Sequence, residues 1–579
     1  MPTTQQARRA LVLYGSETGN AQDVAEEMGR VAERLRFDTE VAELNAISLE
    51  PSQYVIEGES DEQHPEGIDG SFLPWSTSHL RHRLLEEYPL PEGVHPIPDD
   101  VLLDPKWVLD YADNESSVPP TSNVITPTLE PTSNSDTPDV PPTDLLNIPN
   151  GLAAHITSNE RITPTTHWQD VRHLKLSLSG THPYAPGDVL TLYPKNFPSD
   201  VNLFLSLMDW TSIADTPLHF HPSSPSSAPP PTTLPVPHLS QKSTVTLRQL
   251  LTNHLDILSI PRRSFFAQLA HYTPDPFHRD RLLEFTNPEY IDELYDYTTR
   301  PRRSILEVLQ EFESVKIPWQ RICSIIPTLR GRQFSIASAM NMKMNPSEDA
   351  ADITAVRAGE SERTEIELLI AIVKYKTVIK RIRQGVATRY IANLTPGQDI
   401  TVTLSKGGLG VSEKEVGRPV VMVGPGTGVA PMRALIYQRK QWREKLGVEP
   451  GLRSDGEQVQ DLLFFGCRNA EADYFFKDEW EALKKDEGVP LEVFAAFSRD
   501  QRQKVYVQDL IRQQSSLIFN SLSKQNGIIY ICGSSGKMPQ AIREALIEGF
   551  QEHGPMSRED AESYLAGMEK SGRYRQETW

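Results

Sequence analysis

Apolar and polar positions follow different periods in different parts of this chain, and the changes of period mark out its domains. Near the start an apolar strand runs into "LYGSETGNAQDVAE" (Leu13 to Glu26), a small-residue, hydroxyl-rich turn that leads to a helical stretch. A loop of that kind cradles a phosphate. "VAELNAISLE" (Val41 to Glu50) supplies a second strand. Residues 150–195 are strand-like with turns, whereas 243–316 carry helical spacing, as in "TLRQLLTNHLDIL" and "RSILEVLQEF". Strand periodicity returns over 330–410. From 418 to 560 buried strands such as "PVVMVG" alternate with helices, the pattern of a doubly wound α/β domain. No internal repeat is visible.

Two stretches break these patterns. "DNESSVPPTSNVITPTLEPTSNSDTPDVPPTD" (Asp113 to Asp144) has seven prolines and almost no large apolar side chain. It cannot bury enough surface to offset the entropy of ordering, so it reads as a disordered linker. "HPSSPSSAPPPTTLPVPH" (His221 to His238) lies within an apolar region and reads as a surface insertion.

With 579 residues and 38% hydrophobic content, the chain has material for several cores. Its formal net charge of −20 argues against nucleic acid, which needs a basic footprint. The acid excess fits a basic protein partner or simple solubility. Three cysteines, Cys323, Cys467 and Cys532, imply no disulfide framework and a reducing compartment. No stretch approaches the roughly 20 apolar residues of a membrane helix, so no span is expected. No metal site is expected either.

The clearest chemistry lies in "RPVVMVGPGTGVAPMRALIYQR" (Arg418 to Arg439), where a strand delivers Gly424, Gly426 and Gly428 to a helix N-terminus suited to a pyrophosphate. Such a turn alone also fits an ordinary strand-to-helix connection. A second cluster, "FSRDQRQKVYVQ" (Phe497 to Gln508), again follows an apolar strand. Ser498, Arg499, Lys504 and Tyr506 offer cationic and hydroxyl donors to a 2′-phosphate, favouring NADPH over NADH. In "RGRQFSIAS" (Arg330 to Ser338), Arg332 and Phe334 alternate on one strand face beside Ser335, a pattern that suits a guanidinium on a phosphate and a ring against an isoalloxazine but also fits a barrel strand with a surface Arg. In "RQGVATRY" (Arg383 to Tyr390), Gly385 and Thr388 suggest a tight turn with backbone and hydroxyl donors for another phosphate.

In this order the motifs resemble the ferredoxin-NADP reductase module of the diflavin reductase family. "FFGCR" and the terminal "GRYRQETW" (Gly572 to Trp579) agree with it. The resemblance covers nearly the whole chain. It implies FAD contacts at Arg302, Arg332, Gln333, Phe334, Ser335, Gly385, Val386, Ala387 and Thr388. It implies NADPH contacts at Thr427, Arg468, Ser498, Arg499, Lys504, Val505, Tyr506, Val507 and Gln508. Ser335, Cys532 and Glu577 match the family's polar trio where hydride arrives, and Trp579 matches the ring that nicotinamide displaces. Three positions depart from the family: Gly331 replaces a usual proline, Ala387 a usual cysteine, and Ala541 a usual acidic residue.

The opening turn then resembles the FMN phosphate loop of a flavodoxin-like domain, with Ser16, Glu17, Thr18, Gly19, Asn20 and Ala21 as contacts and Asp61 as a further one. After the second strand, "PSQYVIEGESDEQHPEG" already resembles the end of that domain, followed by its last helix and "WVLDY" (Trp107 to Tyr111). The two loops that should sandwich the ring are missing, so FMN binding is expected to be weak or absent.

The expected architecture is thus multidomain, α/β and β. It has an incomplete flavodoxin-like domain (1–112), a linker (113–147), an FAD-binding barrel (148–410) with a helical insert over about 198–316, and a doubly wound NADPH-binding domain (411–579). "PRRSFF", "RPRRSILEVL" and "DEQHPEG" resemble the family members that serve cytosolic iron-sulfur protein assembly. That likeness implies an anamorsin-type iron-sulfur protein as electron acceptor and a cytoplasmic, also mitochondrial, location. An FAD-only diaphorase and a non-catalytic scaffold stand as alternatives.

Overall fold

The computed structural model describes residues 8–15, 20–44, 67–112, 139–223, 234–340, 363–449, 451 and 459–579. They divide into two units. One comprises Pro142–Pro194, Gly331–Tyr375 and Gln384–Trp579; the other comprises Met1–Pro141, Lys195–Arg330 and Lys376–Arg383.

The first unit opens with an antiparallel sheet of six strands: β1 (Leu152–Arg161), β2 (Val171–Ser179), β3 (Val189–Leu192), β4 (Arg332–Ser335), β5 (Arg363–Ala371) and β6 (Asp399–Ser405), ordered β4-β3-β6-β1-β2-β5. Alternate residues such as Ile156, Leu174, Leu176, Leu190, Leu192, Ile366, Leu368 and Val402 are buried, as period-two patterning requires. The two edges meet just past β4, where Ile336 bridges Leu368 and the Ala337 N–H donates to the Glu367 carbonyl at 2.8 Å. The sheet is therefore a nearly closed barrel. Helix α1 (Val386–Asn393) lies between β5 and β6.

A parallel sheet follows: β7 (Val420–Pro425), β8 (Asp461–Cys467), β9 (Leu491–Phe497), β10 (Ile528–Gly533) and β11 (Tyr574–Thr578), ordered β9-β8-β7-β10-β11. Alternate residues feed two cores. Met422, Leu463 and Tyr530 enter one, while Val421, Val423, Phe464 and Ile531 enter the other. That two-sided burial explains the unbroken apolar runs. Helix α2 (Val429–Leu446) leaves β7 directly after the glycine turn. The expected barrel and doubly wound domain are both present.

The second unit holds a parallel pair, Arg9–Tyr14 with Asp38–Glu43, joined by the helix Asn20–Arg34. Its acidic residues face the arginines of the helical insert: Asp23 pairs with Arg262 at 3.0 Å and Glu27 with Arg263 at 2.9 Å. The insert's core gathers Phe204, Leu250, Phe266, Phe285 and Leu309.

Three boundaries differ from expectation. Trp107–Tyr111, expected to close the flavodoxin-like domain, pairs antiparallel with Leu218–Pro222, and Trp107 and Leu109 enter the insert's core. A strand is claimed by the apolar surface it can cover, and here the insert supplies that surface. Residues 195–330 group with the N-terminal residues, apart from the barrel into which they are spliced. Of the expected linker, 113–138 lies outside the described residues, but its end is tied down. Asp139 accepts from the Ser199 N–H at 2.9 Å and hydroxyl at 2.8 Å, and the Leu146 N–H donates to Thr401 Oγ1 at 2.8 Å.

Candidate active site

Strand order reverses at β7, whose partner is β8 on one side and β10 on the other. Ligands of doubly wound sheets bind outside the carboxyl ends at such a switch point. The glycine turn lies there, and its geometry explains the residue choice. A Cβ on Gly424 would lie 2.7 Å from the Gly428 carbonyl oxygen, and one on Gly428 would lie 2.2 Å from that of Cys532. Gly426 has φ +59° with open space around it, leaving room for a phosphate over the start of α2.

The flavin motif forms β4, in register with β3: Ser335 opposite Val189, Phe334 opposite Leu190, Arg332 opposite Leu192. Gly331, the departure from the usual proline, lies against Thr191, whose methyl is 2.5 Å from where a Cβ would be. Beyond Ser335, the Ile336 N–H donates to the Asp188 carbonyl at 3.1 Å. The Asp188 carboxylate accepts from the Ala185 N–H at 2.9 Å and from Lys406 Nζ at 2.9 Å. The adjacent Gly187 carbonyl occupies the space a Cβ of Gly407 would need, and that same position is 3.3 Å from Glu577 Oε1. Glu577 is in register with Cys532 on β11 and β10.

The neighbourhoods of Ser335 and of the Cys532–Glu577 pair thus approach each other: Ile336, next to Ser335, bonds Asp188, and Gly187 packs against Gly407 close to Glu577. Cys532 is fully buried, and burial first, then the Glu577 charge, push its thiol well above its ordinary pKa. It stays protonated at neutral pH. Trp579 is anchored on the same strand end: its N–H donates to the Gly533 carbonyl at 3.0 Å and its carbonyl accepts from the Ser535 N–H at 3.0 Å. The indole itself is half exposed.

The expected turn at Gly385 is the N-terminus of α1, with Gly385 as its cap residue. The Thr388 hydroxyl is already engaged, accepting from the Val373 N–H at 3.0 Å and donating to the Gly385 carbonyl at 3.3 Å. Ala387 is buried as well. A phosphate here would meet the first N–H groups of α1, with the Thr388 hydroxyl beside them. Arg302 belongs to the other unit, where it is exposed with φ +53°. Ser16, Glu17, Thr18, Gly19 and Asp61 lie outside the described residues, as does the Asn20 side chain; Ala21 is in the first turn of its helix.

The second cluster occupies the ends of β8 and β9. The Ser498 N–H and hydroxyl donate to the Cys467 carbonyl at 3.0 and 3.2 Å, and the Arg499 N–H donates to the Arg468 carbonyl at 2.8 Å. Arg468 and Arg499 are thereby held side by side. Among the described residues neither guanidinium is ion-paired, so the two form a cationic site that suits a phosphomonoester. Lys504 and Tyr506 are exposed nearby in sequence, ahead of the helix Val507–Gln513. Val507 is buried, its methyl 2.7 Å from where a Gly466 Cβ would be, leaving only its backbone for a ligand.

One network has no counterpart among the sequence motifs. Arg433 of α2, 2% exposed, donates to the Ala337 carbonyl at 2.9 Å, to Glu367 at 2.9 Å and to Glu479 at 2.7 Å. His173 Nε2 is 2.6 Å from the same Glu367. It ties the end of the flavin strand to the helix that follows the glycine turn. Its members are single charged residues in unrelated elements, so no local spacing signals them.

A flavin-binding barrel followed by a doubly wound domain with a phosphate turn and a cationic pair defines a two-domain flavoprotein reductase of pyridine nucleotides. The family models agree: an FAD binding domain matches residues 147–356 and an oxidoreductase NAD-binding domain matches residues 422–544. The chain is 44% identical to NADPH-dependent diflavin oxidoreductase 1 of Emericella nidulans, covering 99% of this chain and 97% of that protein. It is 43% identical to the Aspergillus fumigatus protein of that name (99% and 98%) and 36% identical to the Xenopus laevis one (90% and 78%). The chain belongs to the NADPH-dependent diflavin oxidoreductase family, and its cofactors are FAD and NADPH. The alignment to the Emericella protein runs to 665 positions, more than the 579 residues here, so parts of that relative have no counterpart in this chain.

Proposed function

We propose that this enzyme passes electrons from NADPH by way of FAD to an iron-sulfur protein of the anamorsin type, within cytoplasmic iron-sulfur cluster assembly. The observation that carries the first half is the approach of the Ser335 strand end, through Asp188, Gly187 and Gly407, to the strand ends that bear Glu577, Cys532 and Trp579. When bound, FAD supplies the hydride-accepting chemistry. Arg332 and the N-terminus of α1 would hold its phosphates, while Gly424–Gly428, Arg468, Ser498 and Arg499 would hold those of NADPH. The protonated Cys532 thiol and the Glu577 carboxylate would hold protons and charge at the strand ends, and Trp579 would be the ring that nicotinamide displaces. Among the described residues no helix is long and apolar enough to cross a membrane.

A second reading, an FAD-only diaphorase, is favoured by the excess length of the alignment and by the N-terminal sheet, which among the described residues has two strands. A flavodoxin sheet has five. Acid extraction and quantification of both flavins from purified protein separates the readings. The diaphorase reading predicts about one FAD and far less than one FMN per chain, with NADPH-driven ferricyanide reduction retained and reduction of a [2Fe–2S] protein acceptor lost, whereas the first reading predicts that the acceptor is reduced. Near-stoichiometric FMN with acceptor reduction would reject the diaphorase reading. No ferricyanide turnover in FAD-loaded protein would reject both.

A further inference from the structure

Trp168 belongs to the barrel, in the connection between β1 and β2, yet its indole lies under a nucleotide-domain guanidinium: Arg468 Cζ is 4.0 Å from the ring centroid. The connection is held rigidly. Arg161 donates to the carbonyls of Thr163 at 3.0 Å, Pro164 at 2.9 Å and His167 at 2.9 Å, and the Thr163 hydroxyl donates to the Gln169 carbonyl at 2.9 Å. His167 is buried next to Trp168, with Nε2 4.0 Å from Asp473 Oδ2. Asp473 in turn accepts from the Arg468 N–H at 3.1 Å and the Asn469 N–H at 2.7 Å. One barrel loop therefore meets the turn after β8 through its tryptophan against Arg468, with His167 lying alongside Asp473.

Burial does not account for the tryptophan, which is 55% exposed. Its contact is with a cation that needs a support. Burial first, and then the charge of Arg499, lower the pKa of Arg468, so the two guanidiniums repel while they stay close. Like-charge repulsion opposes that closeness. The indole face offsets that tendency by cation–π attraction and keeps the pair together.

We propose that Trp168 is a specificity-determining positioning residue: it holds Arg468 beside Arg499 so that the pair receives the 2′-phosphate of NADPH. The inference rests on reading those two arginines as phosphate ligands. A cation–π contact at an exposed site corresponds to about a two- to fivefold change in affinity. The test is steady-state kinetics of full-length, FAD-loaded Trp168→Ala, Trp168→Phe and Arg499→Ala with NADPH and with NADH. Trp168→Ala should raise KM for NADPH about two- to fivefold relative to KM for NADH, with the change in KM and not in kcat. Trp168→Phe, which keeps a ring, should recover most of it, and adenosine 2′-phosphate should weaken as an inhibitor in step. If Arg499→Ala raises KM for NADPH selectively while Trp168→Ala shifts both coenzymes equally or neither, the proposal is wrong and the phosphate assignment stands. If Arg499→Ala is itself unselective, the assignment fails and the proposal with it.

Discussion

Replacing Arg433 with methionine should destabilise the reductase unit severely, in a way that depends on pH. The guanidinium and Glu367 are both nearly inaccessible, with side chains 2% and 6% exposed, and their contact is 2.9 Å. Breaking a buried pair from one side costs about 3–5 kcal/mol, because the remaining charge loses a partner, here leaving Glu367 with its His173 contact. The titration of Glu367 shows how strongly its partners together favour the charged form. Burial pushes its carboxyl up, but the His173 hydrogen bond and the Arg433 charge outweigh burial and hold it at about 2, against an ordinary 4.5. That shift corresponds to about 3 kcal/mol of stability, shared among His173, Arg433 and Lys175. A depressed carboxylate stabilises the fold above its unfolded pKa, so this contribution is complete above about pH 4.5 and is lost as pH falls toward 2. Arg433→Met should therefore cost about 3 kcal/mol or more at pH 7, and the gap to wild type should narrow on acidification through that window. Adding Glu367→Gln should recover part of the loss, since it removes the uncompensated charge. Urea unfolding of the four proteins of this cycle, followed by circular dichroism at pH 7 and pH 4, is the assay. A loss under about 1 kcal/mol at pH 7, or a double variant no more stable than Arg433→Met, would refute the reasoning.

Two further predictions concern the switch point. Gly428→Ala places a Cβ 2.2 Å from the Cys532 carbonyl oxygen, so the turn must move off β10; NADPH turnover should be lost while purified protein retains FAD, measurable by ferricyanide assay and flavin absorbance. Cys532 is buried beside Glu577, which places its thiol pKa well above the ordinary 9.0; the pH profile of NADPH turnover should show no thiol ionisation up to 9.0, and alkylation by iodoacetamide at that pH should leave Cys532 unlabelled in a peptide map.

Local sequence determined whatever depends on near neighbours. The glycine turn at Gly424–Gly428, the arginine-aromatic-serine strand at Arg332–Ser335 and the strand-helix alternation after Arg418 were legible because each is a run of adjacent residues whose backbone demands exclude most alternatives. Tertiary structure decided what depends on surfaces that meet only after folding. Trp107–Tyr111 is compatible with the edge of any sheet, and only the apolar face around Leu218–Pro222 assigns it to the helical insert. Thr388 was legible as a hydroxyl donor, but only the folded chain shows its hydroxyl also bonding the Val373 N–H and the Gly385 carbonyl. Arg433, Glu367 and His173 are unremarkable letters in three separate elements, and burial makes them a network because a charge removed from water must find its partner there. The same holds for Trp168, which no spacing rule connects to Arg468: a barrel loop and a nucleotide-domain turn approach each other only when both sheets are built.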